Sequence, residues 1–91
     1  MKFAWDKEKD KSNLRKHGVS FEEASTVFGD TLSLTVHDPI HSDKEERFVI
    51  MGMSSDMRFL IVCHVFHENH VRIISARLAT KQERRDYESG T

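Results

Sequence analysis

The chain has 91 residues, 37% of them hydrophobic and 32% charged, with a formal net charge of -1 and a single cysteine. This composition excludes a disordered chain, and the length excludes a second domain, so one small core over residues 1–91 is expected. The longest apolar run, FLIVC at 59–63, is far too short to span a bilayer, and no apolar stretch follows the first lysine as a signal peptide requires; a soluble cytoplasmic protein is predicted, with Cys63 a packed, inert thiol.

KFAWD reads as a short edge strand or extended lead-in. Asp6 is placed to cap a helix from about Lys7 to His17, and Gly18 suits the left-handed turn that ends it. Leu14 is that helix's one clear core residue. A second helix follows from the Ser20/Glu23 capping-box spacing, with Phe21, Ala24, Val27 and Phe28 on one face before Gly29. The period then changes to two. LSLTV at 32–36, RFVIMGM at 47–53, RFLIVCHVF at 58–66 and VRIISAR at 71–77 are rich in the β-branched and aromatic residues that pleated surfaces favour.

SSDM and HENH supply two hairpin corners, while HDPIHSDKEE at 37–46 is polar and long enough for a mobile loop. Strand 58–66 is apolar at nearly every position to Cys63, as a central strand covered on both faces would be. Thr80 and Glu83 form a second capping box, opening a short terminal helix. The order β-α-α-β-β-β-β-α predicts an α+β fold: a small antiparallel sheet with two N-terminal helices and one short C-terminal helix.

Charge is segregated along the chain. Residues 1–20 hold six basic and three acidic side chains, 21–70 three and nine, and 71–91 five and three. Basic ends folded onto one side would attract an anion despite the overall balance. Arg77 enters from a strand end; Lys81, Arg84 and Tyr87 share a face of the last helix, with Arg85 one step round. Such guanidinium groups suit phosphate oxygens, although pairing with Glu83, Asp86 and Glu88 on a solvated helix is an equally good account. Arg72 lies in an otherwise apolar strand and must face open ground or be paired.

Cys63, His64, His67 and His70 invite a metal hypothesis that their spacing on extended chain disfavours. His37 and His41 carry no ligand spacing. Glu45, Glu46 and Arg47 end the polar loop, where a carboxylate could act as a base or simply pair with a neighbour. Arg15, Lys16 and His17 at a helix end could serve an anion or offset the helix dipole. A DNA-reading helix-turn-helix is disfavoured by FEEASTVFG, which has two glutamates and no side chain suited to base edges.

The combination of NLRKHGVSFEEA followed by VF, then HSDKEERF, then RIISARLATKQERRDYE closely resembles the BrnT family of bacterial toxins, the ribonuclease halves of type II toxin-antitoxin pairs. The likeness runs from Trp5 to about Gly90. It implies a RelE-like fold with helices on one side of the sheet and a basic catalytic surface on the other. It further implies metal-independent endoribonuclease activity without a cofactor, and a BrnA-type ribbon-helix-helix antitoxin through which alone DNA is reached.

On that resemblance Arg77 and Arg84 are expected to stabilise the transition state, Glu46 or His17 to take the 2'-hydroxyl proton, and His17 or Tyr87 to protonate the leaving oxygen. Lys16, Arg47, Arg72, Lys81 and Arg85 would hold the substrate. Leu78 stands where many relatives carry Lys or Arg, which removes one possible phosphate contact. Two other functions stay open: a partner-binding co-repressor module whose nuclease surface has decayed, and a small metal-binding protein.

Overall fold

A computed structural model describes residues 1–89. Five strands, β1 (Lys2–Ala4), β2 (Leu34–Asp38), β3 (Arg47–Met53), β4 (Phe59–His67) and β5 (His70–Leu78), form one sheet in the order β1-β5-β4-β3-β2. The apolar strand is central, as expected: Leu60, Ile61, Val62 and Val65 are all buried. The sheet is mixed rather than purely antiparallel, because β1 runs parallel to β5 with Phe3 opposite Val71. The helices carry the chain from β1 to β2 at the far edge, and the β2–β3–β4–β5 meander brings it back beside β1.

Helices α1 (Lys7–His17) and α2 (Phe21–Thr26), with a 3₁₀ turn at Val27–Gly29, cover one face, and α3 (Lys81–Ser89) follows β5. Asp6 caps α1 through the amides of Glu8 and Lys9, and Gly18 closes it at φ 70°. The core joins Val19, Phe21, Ala24 and Val27 to Ile50, Leu60, Val62, Val71, Ile73 and Ala76. Gly52 lies under the 3₁₀ turn, where a Cβ would stand 2.9 Å from Asp30 Oδ2 and 3.1 Å from Val27 Cγ1. Only glycine permits that approach.

Leu14 is not the anchor of α1, being 51% exposed. Asn13 takes that role from inside the interface. Its amide nitrogen donates to Ala76 O at 2.7 Å and Val19 O at 2.9 Å, while its carbonyl accepts from Ala76 N at 3.1 Å. The side chain thus completes the edge of β5 beyond the end of the short β1.

The expected Ser20/Glu23 capping box is half formed. Ser20 Oγ accepts from Glu23 N at 3.0 Å, but the Glu23 carboxylate turns to Arg58 and to Ser54 Oγ, the latter at 2.7 Å. Arg58 also donates to Gly18 O at 2.9 Å, so one pair ties the α1–α2 corner to the β3–β4 hairpin. The hydrogen bond from Arg58 holds the Glu23 carboxyl below its ordinary range.

The face of β5 is set by a bulge. Cys63 pairs with Ser75 and His64 with Ile73, so Ile74 is an extra residue with no partner in β4. Val71, Ile73 and Ala76 point into the core, whereas Arg72, Ser75 and Arg77 lie opposite Val65, Cys63 and Ile61 on the outer face. Arg72 and Arg77 are five apart and would lie on opposite faces of an unbroken strand. The bulge unites them.

His64 is fully buried, with Phe28, Phe48 and Phe66 rings at 4.8, 6.2 and 5.3 Å and its Nε2 unpaired among the described residues. Burial pushes its pKa below the ordinary 6.5. On acidification the unfolded state therefore takes up the proton first. The stability that neutral His64 gives is present above pH 6.5 and is lost as pH falls through 6.5 toward the folded-state value.

Two outcomes follow. Asn13→Ala should lower unfolding stability by roughly 3 kcal/mol, since several buried backbone groups lose partners at about 1–3 kcal/mol each; urea denaturation reads this, and a loss below about 0.5 kcal/mol would contradict the edge-closing role. His64→Leu should show a smaller fall in Tm between about pH 7.5 and 5.5 than the parent chain, and parallel curves would contradict the buried-histidine argument.

Candidate active site on the outer face of the sheet

The outer face has two parts. Over one end α3 packs down: Tyr87 meets Phe59 edge-on at 4.9 Å, Arg84 lies 5.4 Å from the same ring, and the Tyr87 hydroxyl donates to Leu32 O. The other part is a cleft of about 310 Å³. Its floor is Val49, Ile61, Cys63 and the bulge segment Ile74–Ala76, and its polar groups are His17, Asp38, His41, Arg47 and Arg77. Each has a structural reason to be there. Asn13 docks the end of α1, and with it His17, beside β5; Asp38 and Arg47 are cross-strand partners on the outer face; the bulge turns Arg77 outward.

Of the residues expected from sequence, the structure gathers His17, Arg47 and Arg77 in this cleft. Arg72 shares the face but donates to Glu45 at 2.7 and 3.0 Å. Glu46 reaches His37 at 2.6 Å instead of the cleft. Arg84 bonds Glu88 at 3.1 Å, and with Tyr87 belongs to the α3 end. Lys16, Lys81 and Arg85 are exposed on α1 and α3 and are not among the cleft-lining residues.

The two cleft arginines differ in how fully they are engaged. Arg77 grips Glu83 through both terminal nitrogens at 2.8 Å and donates to Leu78 O at 3.2 Å. Those are three of the five N–H groups a guanidinium carries. The Arg77 hydrogen bonds draw the Glu83 carboxyl down to about 2. Glu83 also closes the expected capping box of α3, accepting from Thr80 N at 2.9 Å while Thr80 Oγ1 accepts from Glu83 N at 3.1 Å. Among the described residues Arg47 approaches a carboxylate at Glu45 alone, 3.9 Å away, and its buried Nε has no partner. Arg47 therefore has the greater unused donor capacity.

Two cleft residues outside the expected set are Asp38 and His41, the latter weighed only as a metal ligand. Asp38 Oδ2 accepts from His41 Nδ1 at 2.8 Å and Oδ1 from Ile40 N at 3.2 Å, and the His41 hydrogen bond is the main reason the Asp38 carboxyl lies below its ordinary range. The signal was local. An aspartate before proline with histidine three residues on is a turn in which the side chains meet. The segment between β2 and β3 is accordingly bonded rather than loose, with Ser42 Oγ donating to Asp38 O and accepting from Arg47 N at 3.0 Å.

Cys63 lines the cleft, but burial raises its pKa, which suits a packed thiol. Among the described residues no three His, Cys, Asp or Glu side chains are grouped so as to hold a metal ion, and none of the helices is long and apolar enough to cross a membrane.

The family model of the ribonuclease toxin BrnT of type II toxin-antitoxin systems matches residues 5–83. The chain belongs to the BrnT family. The crystal structure of the Brucella abortus ribonuclease toxin BrnT superimposes with a TM-score of 0.65 at 23% identity, covering 89% of this chain and 99% of that one. At that identity the likeness shows the shared α+β fold. No curated protein matches the chain. BrnT proteins are the toxin members of their pairs, so an antitoxin partner and an RNA substrate come with the family.

Glu83→Gln keeps the helix cap but removes the charge that offsets Arg77. Binding of a single-stranded RNA, followed by fluorescence anisotropy from about 50 to 200 mM salt, should tighten, with the log-log salt slope steeper by about 0.7, the value of one added phosphate contact. An unchanged slope would show that Arg77 does not meet the backbone.

Proposed function

We propose that this chain is a cytoplasmic endoribonuclease toxin that cleaves RNA without a metal, by attack of the substrate's own 2'-hydroxyl on the adjacent phosphate. The products are a 2',3'-cyclic phosphate and a free 5'-hydroxyl. The supporting observation is the cleft that brings Arg47 and Arg77 together with His17 on the outer face. Pentavalent phosphorus carries its extra charge on equatorial oxygens, and fixed guanidinium donors in a preorganised site stabilise it without reorganising at the moment of reaction. Arg47 and Arg77 take that role. His17 is the cleft-lining member of the expected set able to move a proton, and it is assigned to the leaving 5'-oxygen.

Arg72 and the helical arginines would then steer or hold flanking phosphates. A BrnA-type ribbon-helix-helix antitoxin would neutralise the toxin by covering this surface, and DNA would be met only through that partner. The carboxylates on Arg72 and Arg77 support a second reading, a partner-binding co-repressor whose nuclease surface has decayed. The two part on one observation: induced expression without antitoxin arrests growth for the nuclease and is harmless for the module.

With purified protein and bulk RNA in EDTA, cleavage should persist, and Arg47→Ala or Arg77→Ala should each lower kcat by about 100- to 1000-fold, as loss of one transition-state donor does. Abolition by the chelator would remove the metal-free mechanism. Parent-level activity in both variants would remove the guanidinium role.

A further inference from the structure

His17 supplies one proton-transfer group, whereas transesterification of RNA moves two protons: one leaves the 2'-oxygen as it attacks, and one reaches the 5'-oxygen as it departs. The same cleft holds a second imidazole with one ring nitrogen engaged by a carboxylate. His41 Nδ1 lies 2.8 Å from Asp38 Oδ2, and both residues line the cleft with Arg47, Arg77 and His17. Nδ1–H donated to a carboxylate fixes the neutral tautomer, so the lone pair is on Nε2. Nε2 has no partner among the described residues.

His41 reaches into solvent, its side chain 62% exposed, while the carboxylate that holds it is anchored. The Asp38 side chain is only 17% exposed. Both carboxylate oxygens accept, and the Asp38 carbonyl accepts from Ser42, whose hydroxyl also receives the first amide of β3. Cross-strand pairing with Arg47 fixes Asp38 relative to the cation it would serve beside. Glu46 is bound to His37 and lies outside the cleft lining, so it does not compete for this position.

We propose that His41 is the general base of the cleft and Asp38 its positioning residue, an assignment that rests on the nuclease reading above. In this step His41 Nε2 takes the 2'-hydroxyl proton as the 2'-oxygen bonds to phosphorus. The bond from phosphorus to the 5'-oxygen breaks, and protonated His17 gives its proton to that oxygen. The balance leaves His41 as imidazolium beside the Asp38 carboxylate and His17 neutral, with both restored by exchange with water. Arg47 and Arg77 face the phosphoryl oxygens throughout.

The test uses the full chain and a short fluorescein-labelled single-stranded RNA in EDTA. His41→Ala should lower kcat by about 100-fold or more with little change in KM, and added imidazole should restore at least about tenfold of the loss. Asp38→Asn should lower kcat by about tenfold or more without imidazole rescue, and Asp38→Glu should regain part of the loss. Activity of His41→Ala within about threefold of the parent, or a loss that imidazole leaves untouched, overturns the assignment.

Circular dichroism checks folding. Should His41→Ala unfold, His41→Gln is read in its place, and unfolding of both makes His41 structural and ends the proposal. A parent chain that cuts no RNA defeats the nuclease reading itself, whereas an active parent with an equally active His41→Ala defeats only this inference.

Discussion

One extra residue in β5 governs the outer face of the molecule. With Ile74 inserted between the two halves of the strand, Val71, Ile73 and Ala76 all reach the core, and Arg72 and Arg77 both emerge on the opposite side. A regular strand would have to bury one arginine to expose the other, and an uncompensated guanidinium in a core is among the costliest groups to accommodate. The bulge removes that conflict. It also leaves Ala76 positioned for Asn13, whose amide does for the far half of β5 what the three-residue β1 does for the near half.

The cations this arrangement exposes are moderated by carboxylates from the acidic middle of the chain and from α3. Glu45 bonds Arg72 and stands 3.9 Å from Arg47, and Glu83 holds Arg77. Carboxylates of this kind keep neighbouring arginines from repelling one another and fix their rotamers, while also screening the field that a polyanion would feel. The positive potential therefore depends on how closely each cation is neutralised, and Arg47, 3.9 Å from Glu45, is less so than Arg77, 2.8 Å from Glu83. A net charge of -1 and a cleft lined by cations are compatible because the cleft gathers them from separate stretches of chain.

Much of the fold was legible because its signals are local. β-Branched and aromatic content marked β3, β4 and β5; Asp6, Gly18 and the Thr80/Glu83 pair marked helix ends that the structure closes with those same groups. What stayed hidden is non-local. RIISAR has no glycine to announce a bulge, three residues of β1 give no hint of a parallel partner near the other end of the chain, and Asn13 gains its importance only from Ala76, 63 positions away. Leu14 looked like the anchor because hydrophobicity is visible in a sequence and edge pairing is not. For the cleft, residue type and motif pointed to His17, Arg47 and Arg77. Arg84, Tyr87 and Glu46 were indistinguishable from them until the packing of α3 on Phe59 and the Glu46–His37 contact were seen, while Asp38 and His41 were obscured by their setting in a polar loop.

Glu83 has two employments, at the first turn of α3 and at the Arg77 guanidinium. A phosphate that draws Arg77 toward itself competes with this carboxylate, and linkage makes the competition reciprocal. On the nuclease reading, a polyanion in the cleft would change how firmly α3 begins, and a partner gripping α3 would alter in return the affinity of the cleft. A helix without one fully buried side chain has little packing of its own to resist such a change, so on the nuclease reading α3 would respond to the occupancy of the cleft.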